Sequence, residues 1–327
     1  MRRSLMILVA LAVIAAGAVE WAIASWNAPG AAAAQGDQTV VMIPPGTSLH
    51  QTAQTLNAAG VMKYPLMFEL GVRLTGQAGL VKAGEYGIPS RASMKAIAAI
   101  LVEGKSIQHK LTAAEGLTSQ MIHDLVAKDA ALSGDAGPVP AEGTLLPETY
   151  LFTRGTARQK ILGEMEQAQL KFLKAQWAKR VEGLPFQTMQ QAVTLASIVE
   201  KETALPEERR HIASVFINRL RIGMPLQSDP TIIYGLTRGY PLGHGIRQSE
   251  LESDTPYNTY HIAGLPPGPI CNPGKDSIAA VLNPEQTRDL YFVASGSGGH
   301  VFSATIAEHQ RNVAALRALE RRQAKKQ

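Results

Sequence analysis

The N-terminal segment of the chain is the feature that most constrains its fold. Arg2 and Arg3 precede an apolar run from Leu5 to Val19, which resumes after Glu20 and continues to Trp26. A helix needs about 20 apolar residues to cross the hydrocarbon core of a bilayer. We therefore predict a transmembrane anchor over residues 1–26.

The charges that flank this run predict its orientation. Arg2 and Arg3 keep the N-terminus cytoplasmic, and Trp21 and Trp26 suit the opposite membrane interface. A cleavable signal peptide is the alternative, because residues 31–34 are all Ala. The run is long for a signal peptide and these alanines lie far downstream, which favours a retained anchor. Under either reading, the chain after Asn27 faces the periplasm.

Length and charge limit the remaining possibilities. The 327 residues suffice for an anchor and about two domains, and only 18% are charged, which argues against a disordered chain. The formal net charge of +5 suits anionic lipid or an anionic wall polymer. No basic run is interleaved with aromatic residues, so we expect no nucleic-acid partner. Basic residues cluster at both ends of the chain: Arg2, Arg3, Arg321, Arg322, Lys325 and Lys326.

The pattern after the anchor predicts a linker, a small α/β module and a larger mixed α+β domain. Residues 27–38 are rich in Ala, Gly and Pro and form the linker. Residues 39–105 form a small α/β module, in which either Thr47 or Ser48 is a candidate N-cap of one helix and Ser93 is a candidate N-cap of another. Residues 106–327 form a mixed α+β domain with a helical core.

Within this second domain, a helix is predicted from Thr188 to Lys201 or Thr203, and another from Pro206 to Leu220. The Gly- and Pro-rich stretch from Gly223 to Asp276 is predicted to be loop and short strand. Asp289–Ala294 and His300–Phe302 are predicted to form a hairpin around a Gly-rich turn.

Metal and phosphate sites are not expected. Cys271 is the only cysteine, and none of the eight histidines forms a zinc-binding pattern. The Gly-rich turn at residues 296–299 lacks the lysine and the helix of a phosphate loop. We therefore predict no metal and no cofactor.

One carboxylate stands out as a candidate acid/base. Glu200 ends a strongly apolar helix, where burial is expected to raise its pKa toward that of a useful general acid. Glu202 follows two residues later, so on a continuous helix it points about 200° away from Glu200. We interpret Glu202 as a solvent-side or capping group. On composition alone, an ordinary exposed helix end remains an alternative for both.

Other segments supply groups suited to a sugar-binding groove. Gln227 and Asp229 follow a helix, and Tyr257, Asn258 and Tyr260 lie in a later turn-rich segment. Aromatic faces stack on sugar rings, and amides hydrogen-bond hydroxyl and N-acetyl groups. Each fragment alone is weak, because turns favour the same residue types.

Seven motifs in order give the chain a resemblance to the endolytic murein transglycosylase (YceG-like) family. They occur at residues 142–150, 197–203, 216–220, 227–231, 257–260, 264–268 and 299–302, and begin with Glu-Gly-Thr-Leu-Leu-Pro-Glu-Thr-Tyr and Ser-Ile-Val-Glu-Lys-Glu-Thr. The resemblance covers nearly the whole chain.

The resemblance implies a single-pass inner-membrane protein with a LysM-like module at residues 39–105 and a periplasmic catalytic domain at residues 106–327. Such enzymes cleave the MurNAc–GlcNAc β-1,4 bond within nascent peptidoglycan strands, leave 1,6-anhydroMurNAc ends, and are associated with peptidoglycan synthases and control of strand length. The first Glu of the Val-Glu-Lys-Glu motif is the family's catalytic residue, which corresponds to Glu200.

This reading gives roles to the remaining candidates. Gln227, Tyr257, Asn258 and Tyr260 are predicted to position the substrate, with Glu148 and Asp229 as supporting carboxylates. The alternatives are a hydrolytic muramidase, in which Asp229 or Glu148 assists water, and a non-catalytic peptidoglycan-binding scaffold.

Overall fold

The computed structural model describes residues 2–324, which fall into two compact units. Unit 1 comprises residues 1–109 with 151–155, and unit 2 comprises residues 110–150 with 156–327. Met1, Gln327 and the predicted basic residues Lys325 and Lys326 lie outside the described residues, as does the side chain of Arg3.

Unit 1 begins with a long apolar helix and continues as a small α/β module. Its elements are α1 (Arg2–Asn27), β1 (Gln38–Ile43), α2 (Leu49–Ala58), α3 (Pro65–Leu74), β2 (Gly84–Pro89) and α4 (Met94–Glu103). β1 and β2 pair antiparallel, with Val41 opposite Tyr86. Leu56, Phe68, Tyr86 and Ile97 are fully buried in the core of the module.

Local capping signals explain where the helices of this module begin. The Ser48 side chain accepts a hydrogen bond from the Gln51 N–H, and the Gln51 side chain accepts one from the Ser48 N–H. The Ser93 side chain accepts from the Ala96 N–H at the start of α4. Ser48, and not Thr47, is therefore the first cap, and the predicted cap at Ser93 is confirmed. The assignment of the module as LysM-like stays a prediction.

The predicted anchor forms the single helix α1. Its segment Leu5–Asn27 is long and apolar enough to cross a membrane, and none of it is buried within the structure. This agrees with a single-pass membrane protein, whereas the orientation of the helix stays a prediction.

Unit 2 is built mainly of helices. Its elements, with the two strands that cross the unit boundary, are β3 (Gln108–Thr112), α5 (Ser119–Lys128), β4 (Thr149–Thr153), α6 (Arg158–Trp177), α7 (Met189–Glu202), α8 (Arg209–Arg221), α9 (Asp229–Thr237), α10 (Gln248–Leu251), α11 (Lys275–Leu282), β5 (Tyr291–Ala294), β6 (His300–Ser303) and α12 (Ile306–Ala324). β3 pairs with β4, and β5 pairs antiparallel with β6.

α7 forms the centre of unit 2. Residues 192–199 are all buried, because α6, α8, α9 and α11 contact this helix from different sides. Thr188 caps its start together with Gln191 in a capping box. An apolar helix that is covered on every side matches its nearly uninterrupted apolar sequence.

The stretch from Gly223 to Asp276 departs from its prediction as loop and short strand. It contains the helix α9, with Pro230 in its first turn, and it contains no strand. Pro is favoured in the first turn of a helix because its missing N–H has no partner there in any case. The predicted hairpin near the C-terminus is confirmed by β5 and β6.

Candidate active site

The two glutamates at the end of α7 lie in different surroundings. Glu200 and Glu202 are two residues apart, so helical geometry turns their side chains to different faces. Glu200 faces Arg209 at the start of α8, whereas Glu202 faces Ser228, which directly precedes α9.

Glu200 is part of a buried charge cluster. Its Oε1 lies 3.6 Å from Nη2 of Arg209, and its Oε2 accepts a hydrogen bond of 2.9 Å from the Gly274 N–H. Both side chains are more than nine-tenths buried. The same guanidinium lies 3.6 Å from carboxylate oxygens of Glu115 and Asp276. One carboxylate oxygen of Glu200 thus contacts Arg209 in an ion pair, and the other accepts a backbone hydrogen bond.

Glu202 instead borders a cavity, contrary to its interpretation as a solvent-side or capping group. Its Oε1 accepts a hydrogen bond from the Ser228 hydroxyl. Burial, together with the nearby negative charge of Asp229, raises the pKa of Glu202 to about 7. The Ser228 hydrogen bond opposes this rise. A carboxylic acid with this pKa can donate and accept a proton near neutral pH.

The cavity has a volume of about 340 Å³ and combines charged, amide and aromatic groups. It is lined by Glu202, Arg219, Gln227, Asp229, Tyr260, Tyr291, Phe292, Ile306 and His309. Three of the predicted site residues, namely Gln227, Asp229 and Tyr260, therefore lie in one site. A carboxyl group of raised pKa among polar and aromatic groups fits a site of acid/base chemistry.

The loop before α9 is held rigidly at the cavity wall. The Gln227 N–H donates to the Thr259 carbonyl at 3.0 Å, and the Ser228 N–H donates to the Thr259 hydroxyl at 2.9 Å. Gln227 has a φ of 51°, a left-handed conformation that is unfavourable for a residue with a side chain. These backbone bonds keep Gln227 in that conformation and Ser228 against Glu202.

Tyr260 and Arg219 make hydrogen bonds that hold the polar side of the cavity in place. The Tyr260 hydroxyl donates a hydrogen bond of 2.7 Å to Asp229 Oδ1, and burial raises the pKa of Tyr260. Arg219 donates from Nε to the Leu290 carbonyl and from Nη1 to the Leu226 carbonyl, both at 2.6 Å. Arg219 therefore links the loop before Gln227 to the segment that begins β5.

Sequence reasoning missed Arg219, Tyr291 and His309. Arg219 belongs to a motif that carries the resemblance, but nothing in its spacing distinguishes a buried arginine from a surface one. Tyr291 and His309 stack on each other, with ring centroids 5.2 Å apart, although they belong to β5 and α12. Only the tertiary packing of these elements brings them to the cavity.

Three of the predicted substrate-contacting residues lie outside the cavity lining. Tyr257 packs against Tyr234, with ring centroids 4.8 Å apart. Asn258 is fully buried. Glu148 forms an ion pair with Lys275 and is half exposed. These positions favour packing or structural roles over substrate contact.

Asn258 supports the turn that carries Tyr260. Its amide group donates to the Leu251 and Ser253 carbonyls at 2.9 and 2.8 Å, and its Oδ1 accepts from the Tyr260 N–H. We expect Asn258→Ala to lower the free energy of unfolding by about 2–4 kcal/mol, because buried partners lose their hydrogen bonds. Chemical denaturation measures this loss. A variant of unchanged stability with a raised KM would instead restore the substrate-binding role.

Metal-binding groups do not cluster within residues 2–324: no three His, Cys, Asp or Glu side chains there are arranged to hold an ion. Cys271 is fully buried, and burial raises the pKa of its thiol well above the usual value.

Comparison with known proteins identifies the family. The YceG-like family model matches residues 41–315. The chain belongs to the YceG-like family. That match covers the module of unit 1 and nearly all of unit 2, including every residue that lines the cavity.

Relatives and a solved structure extend this finding. The chain is 30% identical over 303 residues to the endolytic murein transglycosylase of Bacillus subtilis, covering 83% of this chain and 82% of that one. It is 30% identical over 323 residues to the endolytic murein transglycosylase of Streptococcus pneumoniae strain D39, covering 84% of this chain but only 57% of that longer protein. A crystal structure of a yceG-like protein from Listeria monocytogenes matches with a TM-score of 0.51 and 31% identity, over 85% of this chain and 99% of that one. The mixed α+β architecture is therefore the YceG-like fold.

Proposed function

We propose that this protein is a membrane-anchored lytic transglycosylase of peptidoglycan and that Glu202 is its acid/base. The observation that carries the proposal is the carboxyl group of Glu202, whose pKa is raised to about 7 at the wall of a polar and aromatic cavity. Two relatives that share most of this chain's length are endolytic murein transglycosylases.

The choice of Glu202 differs from the role that the motif resemblance implies for Glu200, which stays an untested prediction. Glu200 does not line the cavity, and both of its carboxylate oxygens already have partners in Arg209 and Gly274. Glu202 is bonded only on Oε1 within the described hydrogen bonds, which leaves Oε2 for a substrate. These contacts favour Glu202.

In the proposed reaction, protonated Glu202 donates its proton to the glycosidic oxygen as the bond from MurNAc C1 breaks. The resulting carboxylate then accepts the proton of the MurNAc C6 hydroxyl, whose oxygen attacks C1 and closes the 1,6-anhydro ring. Since the nucleophile is the sugar's own hydroxyl, one enzyme carboxylate suffices, in contrast to two-carboxylate hydrolysis.

Neighbouring groups would position the sugar. Asp229 is oriented by Tyr260 and can stabilise positive charge that develops at C1. The exposed Gln227 amide can hydrogen-bond an N-acetyl or hydroxyl group, and the rings of Tyr291 and Phe292 offer faces for stacking. Glu148 has no place in this step, because it is paired with Lys275 away from the cavity lining.

The proposed mechanism predicts a specific pH dependence. Glu202 must be protonated to donate, so kcat/KM is expected to fall as the pH rises through about 7. The Ser228 hydrogen bond lowers the pKa of Glu202, so Ser228→Ala should move the falling limb to higher pH. Asp229 raises that pKa, so Asp229→Asn should move the limb to lower pH. Rate profiles of the three proteins test the assignment, and three coincident limbs would contradict it.

Product analysis tests the reaction itself. Digestion of uncrosslinked glycan strands should release fragments that end in 1,6-anhydroMurNAc, which mass spectrometry distinguishes by the absence of one water. Reducing MurNAc ends would identify a hydrolytic muramidase. Unchanged strands with retained binding would identify a non-catalytic scaffold.

We further propose that α1 holds the enzyme in the inner membrane with unit 2 in the periplasm, as the flanking charges of α1 favour. There it would shorten nascent strands beside peptidoglycan synthases, cutting within strands rather than at their ends.

A further inference from the structure

The helix α3 of unit 1 carries an apolar stripe that no part of the described chain covers. Leu66, Leu70 and Leu74 are 71%, 55% and 79% exposed. Their spacing of four residues places them along one side of the helix. Phe68 and Val72 on the opposite side are fully buried in the core of the module, so the stripe takes no part in that core.

The stripe adjoins the surface of α1. Trp26 of α1 packs against Phe68, with ring centroids 6.1 Å apart. Gly71 lies so close to the Trp26 ring that an added Cβ would meet it at 2.4 Å. Met67 and Leu70 line two clefts, of about 190 and 370 Å³, whose walls are formed by α1 and α3. The apolar surface of α3 therefore continues that of the predicted membrane anchor.

The contact between the two helices sets the depth of α3. Trp21 lies 16 residues after Leu5, which corresponds to about 24 Å along α1. The hydrocarbon core of a bilayer is about 30 Å thick, so Trp21 lies near its far boundary if the core begins at Leu5. Tyr64, at the start of α3, contacts Trp21 edge to face with ring centroids 6.0 Å apart. α3 thus begins near the outer boundary of the hydrocarbon core.

Polar groups beside the stripe suit that level. Lys63 borders the same cleft as Trp21 and Leu70, within reach of a phosphate group. Glu69 and Arg73 form an ion pair on the side of α3 that faces His50. An apolar stripe flanked by aromatic and charged residues is typical of a helix that lies in a membrane interface.

We propose that α3 lies in the outer interface of the membrane that α1 crosses, with Leu66, Leu70 and Leu74 inserted among the lipids. The module of unit 1 then has two membrane contacts, the spanning helix and this peripheral one. The inference rests on the anchor and is independent of which glutamate performs the chemistry.

Site-specific fluorescence tests the proposal on the full-length protein. In a Cys271→Ser background, Leu70→Cys and, as the control, Gln54→Cys on the exposed face of α2 carry an environment-sensitive dye. The proteins are reconstituted in vesicles of phosphatidylethanolamine and phosphatidylglycerol. We expect a blue shift of the dye at position 70 and loss of its intensity when the lipid chains carry a quencher, with neither change at position 54.

Two outcomes would overturn the proposal. A dye at position 70 that behaves as in water shows that the stripe does not enter lipid. Equal quenching at positions 70 and 54 shows that the module has no preferred face toward the membrane. Circular dichroism of each labelled protein verifies that the fold is retained, which the exposure of both sites leads us to expect.

Discussion

Glu202→Gln is expected to reduce the rate of glycan cleavage by at least about 10²-fold, the lower end of the contribution of a positioned acid/base. Gln keeps the size of the side chain and can still accept the Ser228 hydrogen bond, but it can neither donate nor accept the transferred proton. Binding of strands should be largely retained. Rates of fragment release from uncrosslinked strands, with strand binding measured in parallel, separate the two effects.

Glu200→Gln is the matched comparison, because it makes the same chemical change two residues away. We expect this variant to keep cleavage activity but to lose stability, since Arg209 loses a buried ionic partner. Loss of cleavage in a stably folded Glu200→Gln protein, with cleavage retained in Glu202→Gln, would restore Glu200 as the acid/base.

Arg219→Met is expected to lower the free energy of unfolding by about 2–6 kcal/mol, from about 1–3 kcal/mol for each of two buried carbonyls that lose their donor. Arg219 is buried, and it bonds the carbonyls of Leu226 and Leu290 at 2.6 Å. Methionine preserves much of the length of the side chain but leaves both carbonyls without that donor, and an unpaired buried acceptor is costly. The midpoint of urea denaturation measures the change.

The same substitution should also affect catalysis in the protein that remains folded. Arg219 links the segment before Gln227 to the start of β5, and both segments contribute residues to the cavity lining. Without the Arg219 side chain, the two segments are no longer held to each other. Arg219→Lys is the control. Lysine keeps the positive charge, but it lacks the planar, forked guanidinium that bonds both carbonyls at once. A stability loss for Met with none for Lys would show that charge matters more than the two hydrogen bonds.

Much of the architecture could be predicted because its signals are local. Capping side chains at Ser48, Ser93 and Thr188 mark helix starts through bonds to amides only three residues away. The Gly-rich turn between β5 and β6 signals a hairpin in the same way. The helix α9 escaped prediction because its composition, with Asp, Pro and Gly, is also that of a turn.

The candidate site was predictable only in part. Residue type singled out Gln227, Asp229 and Tyr260, which all line the cavity. Asn258 is of an equally suitable type, but its side-chain amide already donates hydrogen bonds within the turn that it supports. Residue type states what a side chain can do, but not whether its hydrogen-bonding groups are already occupied. Occupancy depends on segments that are distant in sequence.

The sequence by itself determined three features of this protein: the N-terminal apolar helix, the mixture of helices and strands, and the family motifs. Each of them depends on residues that are close together along the chain. The periodicity of α7 also separated Glu200 from Glu202 without any structure, since two residues on a helix differ by about 200°. Which of the two faces the cavity was decided by tertiary structure alone. Arg209 of α8 packs against one side of the helix end, and the rigid loop before α9 brings Ser228 and Asp229 to the other. The surroundings on those two sides, rather than the motif that contains both residues, make one glutamate an ion-pair partner and raise the pKa of the other to about 7.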